Sequence, residues 1–430
     1  MDFIDFELRA WQADDAHVQA LVHSSPVGGM RQPVAVPFDA ASLEAFRRTF
    51  TDFPTSEQAV KWADLIAGGK QLAAVLLPPP VYSLLIRCLE RISPDDGLRL
   101  RLCLDGALAD LPWECLYRPD TTGQSPSEGF LALDSRISLV REAPTASATA
   151  PRPRRKQHLL FAGAPFMVRG EDYWRVELER QNLEEALKPV NDLLSMESVT
   201  ADKMSFETAL SHEGIDIFHY SGHTGTNDDR GFLVEEIKTE RTDNPRFMEW
   251  QWGTDRVYFD PLYVEKLSNL LRRAGTRLAV FSACNSGRWS FVEPLLRAGL
   301  PVVIGAQGML DSMAAVAFSH KLYEALAIGL SLDEAVTWAR MSLLEPDTVT
   351  DDIRWQWAMF MVYMPTPDAV LFPKPKLAKI QGRQESIRSQ RQQTVINIGK
   401  LVYQDIDQQI GKVEGSGQVV GSSIEQIKDQ

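Results

Sequence analysis

Cysteine is scarce. Four occur in 430 residues, at Cys88, Cys103, Cys115 and Cys284. No two have the spacing of a zinc-binding pair, and four are too few for a disulfide scaffold. Positive charge is also short: 45 Lys and Arg face 58 Asp and Glu, for a net charge of −13. Nucleic acid and anionic membrane both call for basic surface, so neither is expected as a direct partner. Long apolar runs are missing. None reaches the roughly 18 residues of a membrane-spanning helix, and the opening MDFIDFELRAW has neither the basic nor the apolar region of a signal peptide. No GxGxxG or GxxxxGK(S/T) follows a strand pattern, which argues against a nucleotide-binding domain. The expectation is a cytoplasmic, reduced protein with no metal and no cofactor.

What is present has an ordinary globular balance, 44% hydrophobic and 24% charged. The length suggests two to three domains. Residues 3–9 alternate as a short strand. Residues 39–93 read as helix in three pieces, broken at Pro54 and at Pro78-Pro79-Pro80. LRLRLCLDG (98–106) alternates strictly and predicts a half-buried strand, and PWECLY and FLALDSRISLVRE predict further short ones. The stretch 143–156, APTASATAPRPRRK, reads as a linker after an N-terminal segment 1–142. It is either a plain exposed connection or a processing site at Arg152–Lys156.

The pattern then changes. HLLFAGAP (158–165), IDIFHYSG (215–222), RLAVFSAC (277–284) and PVVIGAQG (301–308) are compact apolar runs. Helix patterns lie between and after them, at 174–190, Asp260–Arg273, Ser290–Ala298, Ser312–Ile328 and Leu332–Leu344. WAMFMVYMP (357–365) closes the series as a strand. Apolar strands alternating with helices predict a mostly parallel sheet covered on both faces, over 157–367. The polar stretch 224–259 interrupts this domain as a long loop or small hairpin. A polar tether, 368–393, leads to a β-rich segment, 394–430. There Ile398-Gly399, Ile410-Gly411 and Val420-Gly421 are spaced 12 and 10 residues apart, which predicts short strands that pair with their own domain, a second copy or a partner.

Reactive groups in a parallel sheet gather beyond the carboxyl ends of its strands. IDIFHYSG runs into His223, and RLAVFSAC ends on Cys284. One crossover separates these strands, so they are expected to be neighbours, with ends about 5 Å apart. An imidazole beside a thiol is the basic unit of cysteine nucleophilic catalysis. Small residues surround both, in Ser221-Gly222-His223-Thr224-Gly225 and Ser282-Ala283-Cys284-Asn285-Ser286-Gly287. The helix after Cys284 is expected to aim its amino end at the sulfur. Backbone N–H groups at Thr224 and Cys284 are the candidate oxyanion hole. His219 is expected in the core, His320 packed or exposed on its helix, and Cys88, Cys103 and Cys115 structural.

The segments IDIFHYSGHTG, LAVFSACNSG, PVVIGAQGMLDSMAAVAFSHKLYEAL and SLDEAVTWARMSLL resemble the CHAT family, caspase-like peptidases of the caspase–separase–gingipain clan. LCLDGALADLPWECLYRP and GFLALDSRISLVRE resemble the non-catalytic first half of such domains. The resemblance covers roughly residues 90–366. It implies an α/β fold, a caspase-like three-layer sandwich with a mostly parallel central sheet, preceded by a non-catalytic α+β half and followed here by the small β-rich segment. It implies a His223–Cys284 dyad. Many members carry Gly directly after the His; this chain has Thr224, whose β-branch restricts the backbone at the candidate oxyanion hole. The strand after the nucleophile strand supplies a wall of the S1 pocket in that fold. The S1 candidates are therefore Ser282, Gln307, Met309 and Asp311. Asp311 either pairs with a basic P1 side chain or caps the helix that follows it.

Two functions fit. One is an intracellular cysteine endopeptidase that cuts a specific protein substrate and is held latent until activated. The resemblance implies a setting in bacterial antiviral defence or programmed cell death, with a sensor or activator docking on the C-terminal segment. The other is a non-catalytic caspase-like scaffold that assembles through that segment.

Overall fold

The computed structural model describes residues 2–372, apart from 52–59, 94, 122–124, 143–155, 165–170, 201–205, 212–213, 239–241, 243, 246, 253–254 and 365–369. The chain divides into two units, Met1–Lys374 and Pro375–Gln430. The second lies outside the described residues, as do the 143–155 stretch, most of the expected tether and the whole β-rich segment.

The first unit opens with β1 (Asp2–Asp14), β2 (His17–Ser24) and β3 (Val34–Pro37), then α1 (Ala40–Thr51), α2 (Trp62–Leu76), α3 (Pro79–Arg91), β4 (Asp96–Leu104), the single turn α4 (Gly106–Ala109) and β5 (Ile137–Glu142). It continues with β6 (Gln157–Gly163), α5 (Glu171–Leu187), β7 (Leu194–Thr200), α6 (Phe206–Leu210), β8 (Ile217–Ser221), β9 (Thr224–Asn227), β10 (Arg230–Lys238), β11 (Met248–Trp252), β12 (Asp255–Tyr263) and α7 (Val264–Ala274). The last elements are β13 (Leu278–Ser282), α8 (Trp289–Arg297), β14 (Val303–Ala306), α9 (Ser312–Ala327), α10 (Leu332–Ser342) and β15 (Phe360–Tyr363).

Among the described residues eleven strands join one sheet, in the order β3-β2-β1-β4-β5-β15-β14-β13-β8-β6-β7. Pairing is parallel except at β1–β2, β2–β3 and β14–β15. The fold is thus α/β with a mostly parallel sheet and helices on both faces. Along β13 the side chains alternate between two cores. Leu278 and Val280 pack with α5, α9 and α10, while Ala279 and Phe281 pack with α6, α7 and α8.

Four expectations need correction. LRLRLCLDG is not half-buried. Arg99 and Arg101 are buried within β4, because Arg99 pairs with Asp5 at 3.0 Å and Asp333 at 2.7 Å, and Arg101 with Asp5, Glu7 and Glu142. Charge is tolerated inside when it is paired and hydrogen-bonded. PWECLY holds a 3₁₀ turn, Trp113–Cys115, rather than a strand. WAMFMVYMP begins as another 3₁₀ turn and only Phe360–Tyr363 is strand, running antiparallel to β14 and parallel to β5. The interruption at 224–259 is an antiparallel four-stranded sheet, in the order β11-β12-β10-β9. Strands β2, β3 and β7, which the sequence reading does not include, complete the two ends of the large sheet.

Candidate active site

β8 and β13 are parallel neighbours in register, with their last residues, Ser221 and Ser282, opposite each other. His223 and Cys284 stand two residues past those partners, so both turns leave the sheet at the same level. The turns also touch. The Thr224 hydroxyl donates to the Cys284 carbonyl, and the Gly222 N–H reaches the Ser282 carbonyl at 3.3 Å.

The His223 turn is held by Tyr220, a buried side chain on β8. Its hydroxyl accepts the His223 N–H at 3.0 Å and lies 2.8 Å from the His223 carbonyl and 2.9 Å from that of Val234. Val234 N–H in turn donates to the His223 carbonyl at 2.9 Å. Thr224 then opens β9, paired with Leu233. A strand is where a β-branched residue fits, so the Thr in place of Gly fits the backbone it has. Antiparallel pairs alternate between bonded and non-bonded positions, which turns the Thr224 N–H away from β10.

The Cys284 turn is fixed from below. Asn285 takes a left-handed φ of 57°, a conformation Asn tolerates better than most residues. Its N–H donates to the Gly308 carbonyl at 2.9 Å, and Gly287 N–H donates to Ala306 at 2.7 Å. Buried Ser286 accepts the Ala306 N–H at 3.0 Å. Gly305 allows this approach, since a Cβ there would stand 2.7 Å from the Ser286 backbone.

Cys284 is half-buried, and its sulfur faces the segment after β14. The Leu310 N–H points at Sγ across 3.3 Å, and the thiol points at the Leu310 carbonyl across 3.9 Å. Burial pushes the thiol up from its ordinary value. The Leu310 amide and the cysteine's own N–H pull it down, the Asp311 charge pushes it further up, and burial wins. The amino end of α8 does not serve the sulfur. Trp289 N–H donates to the Asp110 carboxylate at 2.7 Å, so the helix end is met by an anion from the first half of the chain.

The S1 candidates sit around this segment with their polar atoms engaged. Ser282 is buried and its hydroxyl donates to Glu179 at 3.1 Å. Gln307 is buried and its amide donates to the Ala358 carbonyl at 2.5 Å; its Oε1 is the exception, with no partner among the described residues. Met309 N–H donates to the Phe50 carbonyl at 2.8 Å, and its sulfur receives Asn285 Nδ2 at 3.9 Å. Asp311 caps α9 through Met313 and Ala314 N–H groups, while its own N–H donates to Gln356 at 2.7 Å.

Of the other candidates, His219 is fully buried, stacked on Phe161 and bonded to Glu179 at 3.1 Å and Tyr323 at 3.2 Å. His320 bonds the Asn182 carbonyl at 3.1 Å. Cys88 and Cys115 are buried, whereas Cys103 is partly exposed. Sequence reading missed Glu179, Tyr220, Phe50 and Leu310. Glu179 had a signal: it falls on the apolar stripe of its helix, with Val176, Leu183 and Ala186. Phe50 and Leu310 act through backbone atoms, which leave no pattern in a sequence.

A family model described as the CHAT domain matches residues 67–365. No curated protein matches the chain. Among solved structures, the chain is 14% identical to a chain of the Saccharomyces cerevisiae separase–securin complex, with a TM-score of 0.39, over 77% of this chain and 20% of that one. The chain therefore spans about a fifth of that protein's length. It is 13% identical, with a TM-score of 0.42, to a chain of the complex of Porphyromonas gingivalis RgpB pro- and mature domains, over 71% of this chain and 72% of that one. For the Arg-specific cysteine proteinase gingipain R the figures are 11% and 0.40, over 75% of this chain and 70% of that one.

Proposed function

The chain belongs to the CHAT-domain family, and on that premise we propose that it is a cysteine endopeptidase with His223 and Cys284 as its dyad. The observation that carries the reading is the contact between the two turns: in-register strand ends, tied by Thr224 to the Cys284 carbonyl. In the proposed reaction His223 takes the Cys284 proton and the sulfur attacks the scissile carbonyl. The N–H groups of Thr224 and Cys284 receive the oxyanion. His223 then protonates the departing amine, leaving a thioester. A water, deprotonated by His223, attacks the thioester carbonyl, and the thiol takes the proton back as the acid product leaves.

The reading includes latency. Its support is the cover over the sulfur: the Leu310 amide and carbonyl both face Sγ, and burial pushes the thiol up. A productive substrate must take the place of that segment, whose neighbours Gln307, Met309 and Asp311, with Ser282, we assign to the S1 region. The proposed organisation keeps 1–142 as a non-catalytic half, 143–156 as linker, 157–367 as the catalytic domain, 368–393 as tether and 394–430 as the docking site of an activator. The substrate is a protein partner, in a setting of bacterial defence or regulated cell death. Among the described residues no single helix is long and apolar enough to cross a membrane.

The test is cleavage of an unbiased peptide library by the wild-type chain and by Cys284→Ala, each with and without residues 380–430. Cleavage that disappears with Cys284→Ala supports the peptidase and reports its P1 preference. Lys or Arg at P1 points to Asp311 as the pocket's acid. A chain whose biological effect survives Cys284→Ala is a scaffold, and the peptidase reading falls.

A further inference from the structure

One carboxylate lies beneath both reactive turns. Glu179, on α5, is buried and accepts four hydrogen bonds. Its Oε2 receives the Ser221 hydroxyl at 2.7 Å and the Ser282 hydroxyl at 3.1 Å; its Oε1 receives Ser319 at 2.7 Å and His219 Nε2 at 3.1 Å. Ser221 and Ser282 are the paired last residues of β8 and β13. A single oxygen therefore bridges the two strands at their final rung, two residues before His223 and Cys284. Ser319 belongs to α9, the helix that starts just after the Leu310 amide reaches the sulfur. β8, β13 and α9, which flank the two turns and the segment over the sulfur, each send a donor to this one group.

Packing alone does not call for it. Most of the buried α5 stripe is apolar, with Val176, Leu183 and Ala186 in the core and Asn182 the other buried polar residue beside them, and an apolar residue at 179 would extend it. A carboxylate there carries a desolvation cost that its donors must offset. They do so here, because burial pushes Glu179 up while His219 and the serines together bring it below the usual carboxylate range.

We infer that Glu179 is a positioning residue, which sets the spacing and angle of the His223 and Cys284 turns by holding Ser221 and Ser282 on one acceptor atom. The inference rests on the peptidase reading for its catalytic consequence but not for its geometry. Misplacement of reacting groups by about 1 Å costs on the order of 100-fold in rate, so the effect belongs in kcat.

The experiment compares the full-length wild type with Glu179→Gln, with the double variant Ser221→Ala/Ser282→Ala, with the two combined, and with Leu183→Val as a packing change on the same helix. Two quantities are read: steady-state cleavage of a peptide taken from the library above, and amide hydrogen exchange by mass spectrometry. Glu179→Gln is expected to lower kcat about 10- to 100-fold with KM within about twofold. The serine pair is expected to lower kcat to the same extent, with KM free to change because Ser282 is also assigned to the S1 region, and the combination to add little to the loss in kcat, since both variants disturb the same serine–carboxylate contacts. Exchange is expected to quicken at 219–226 and 280–287 while peptides of β4 and β5 stay as in wild type. Leu183→Val should lower thermal stability and leave kcat within about twofold. Should Glu179→Gln fail to fold, the serine pair carries the same test. Additive losses, an effect in KM alone, or quickened exchange across the whole sheet overturns the inference and leaves Glu179 a stabilising core group. If the wild type shows no Cys284-dependent cleavage, the peptidase reading falls; the exchange pattern at the two turns then decides the positioning role on its own.

Discussion

At the scale of single residues, the sulfur of Cys284 is governed by two opposing neighbours. The Leu310 amide favours thiolate, and burial with the Asp311 carboxylate disfavours it. Because the balance lies upward, the resting thiol stays protonated at neutral pH. Alkylation of Cys284 by iodoacetamide is therefore expected to keep climbing through pH 9, above the usual cysteine value of about 8.5. A plateau near neutral pH would show an ion pair with His223 already formed. Asp311→Asn isolates one contribution, since Asn caps a helix about as well as Asp while removing the charge. Its expected effect is alkylation at pH 7.5 faster by about two- to threefold; an equal or slower rate contradicts the assigned field. The residues of this site were legible to unequal degrees. His223 and Cys284 stand out because a reactive group at the end of an apolar run breaks the run's chemistry. Glu179 hides in a helix already rich in Glu, where only its phase on the stripe marks it.

Among the elements, the segment between β14 and α9 does the most with the fewest residues. Four of its amides are spoken for, Gln307 by Met359, Met309 by Phe50, Leu310 by the sulfur and Asp311 by Gln356. Phe50 lies in the last turn of α1, so a helix of the first half holds the wall of the candidate pocket. Gly308 permits that approach: a Cβ there would lie 1.9 Å from the Phe50 carbonyl. Gly308→Ala must shift the segment, break the Met309–Phe50 bond and lift Leu310 from the thiol. The expected result is Cys284 alkylation faster by about tenfold, with a melting temperature a few degrees lower. A rate at the wild-type level would mean that the segment does not shield the sulfur. None of this could be read in advance, because it depends on a carbonyl about 260 residues away in sequence. Strands β6, β8, β13 and β14 were readable because each buries a continuous apolar run, whereas β7, LSMESVT, is largely polar and was not. The β9–β12 sheet was not readable either, since its strands are half polar.

For the whole molecule, the buried charges of the first half are structural. Glu114 is fully buried between Arg141, at 2.5 Å, and Arg340, at 3.8 Å. Burial pushes Arg340 down to about 10, with Glu114 opposing that shift and Arg141 adding to it. Glu114→Ala strands two guanidinium groups in the core and is expected to cost about 3–5 kcal/mol, measured by chemical denaturation. A loss under about 1 kcal/mol would mean the cations find other partners. The single sheet makes a second expectation. Proteolytic nicking between Arg152 and Lys156 separates β1–β5 from β6–β15 along the chain, yet β15 lies against β5 and Arg340 reaches Glu114. The two fragments should elute together in size-exclusion chromatography without denaturant, and separation would show that the halves are held mainly by the peptide bond.

The position of β15 has one more implication, for how the molecule is made. Among the described residues it is the last strand of the sheet in sequence, and it sits in the middle, between β5 of the first half and β14, the neighbour of β13. Until residues 360–363 have emerged from the ribosome, the two edges that flank it have no strand between them, and Gln307 lacks Met359 as its acceptor. A chain stopped short of that point holds β8 and β13 but lacks the strand that joins β5 to β14. The β3-to-β5 and β14-to-β7 portions of the sheet are thus joined only when nearly all of the first unit has been translated.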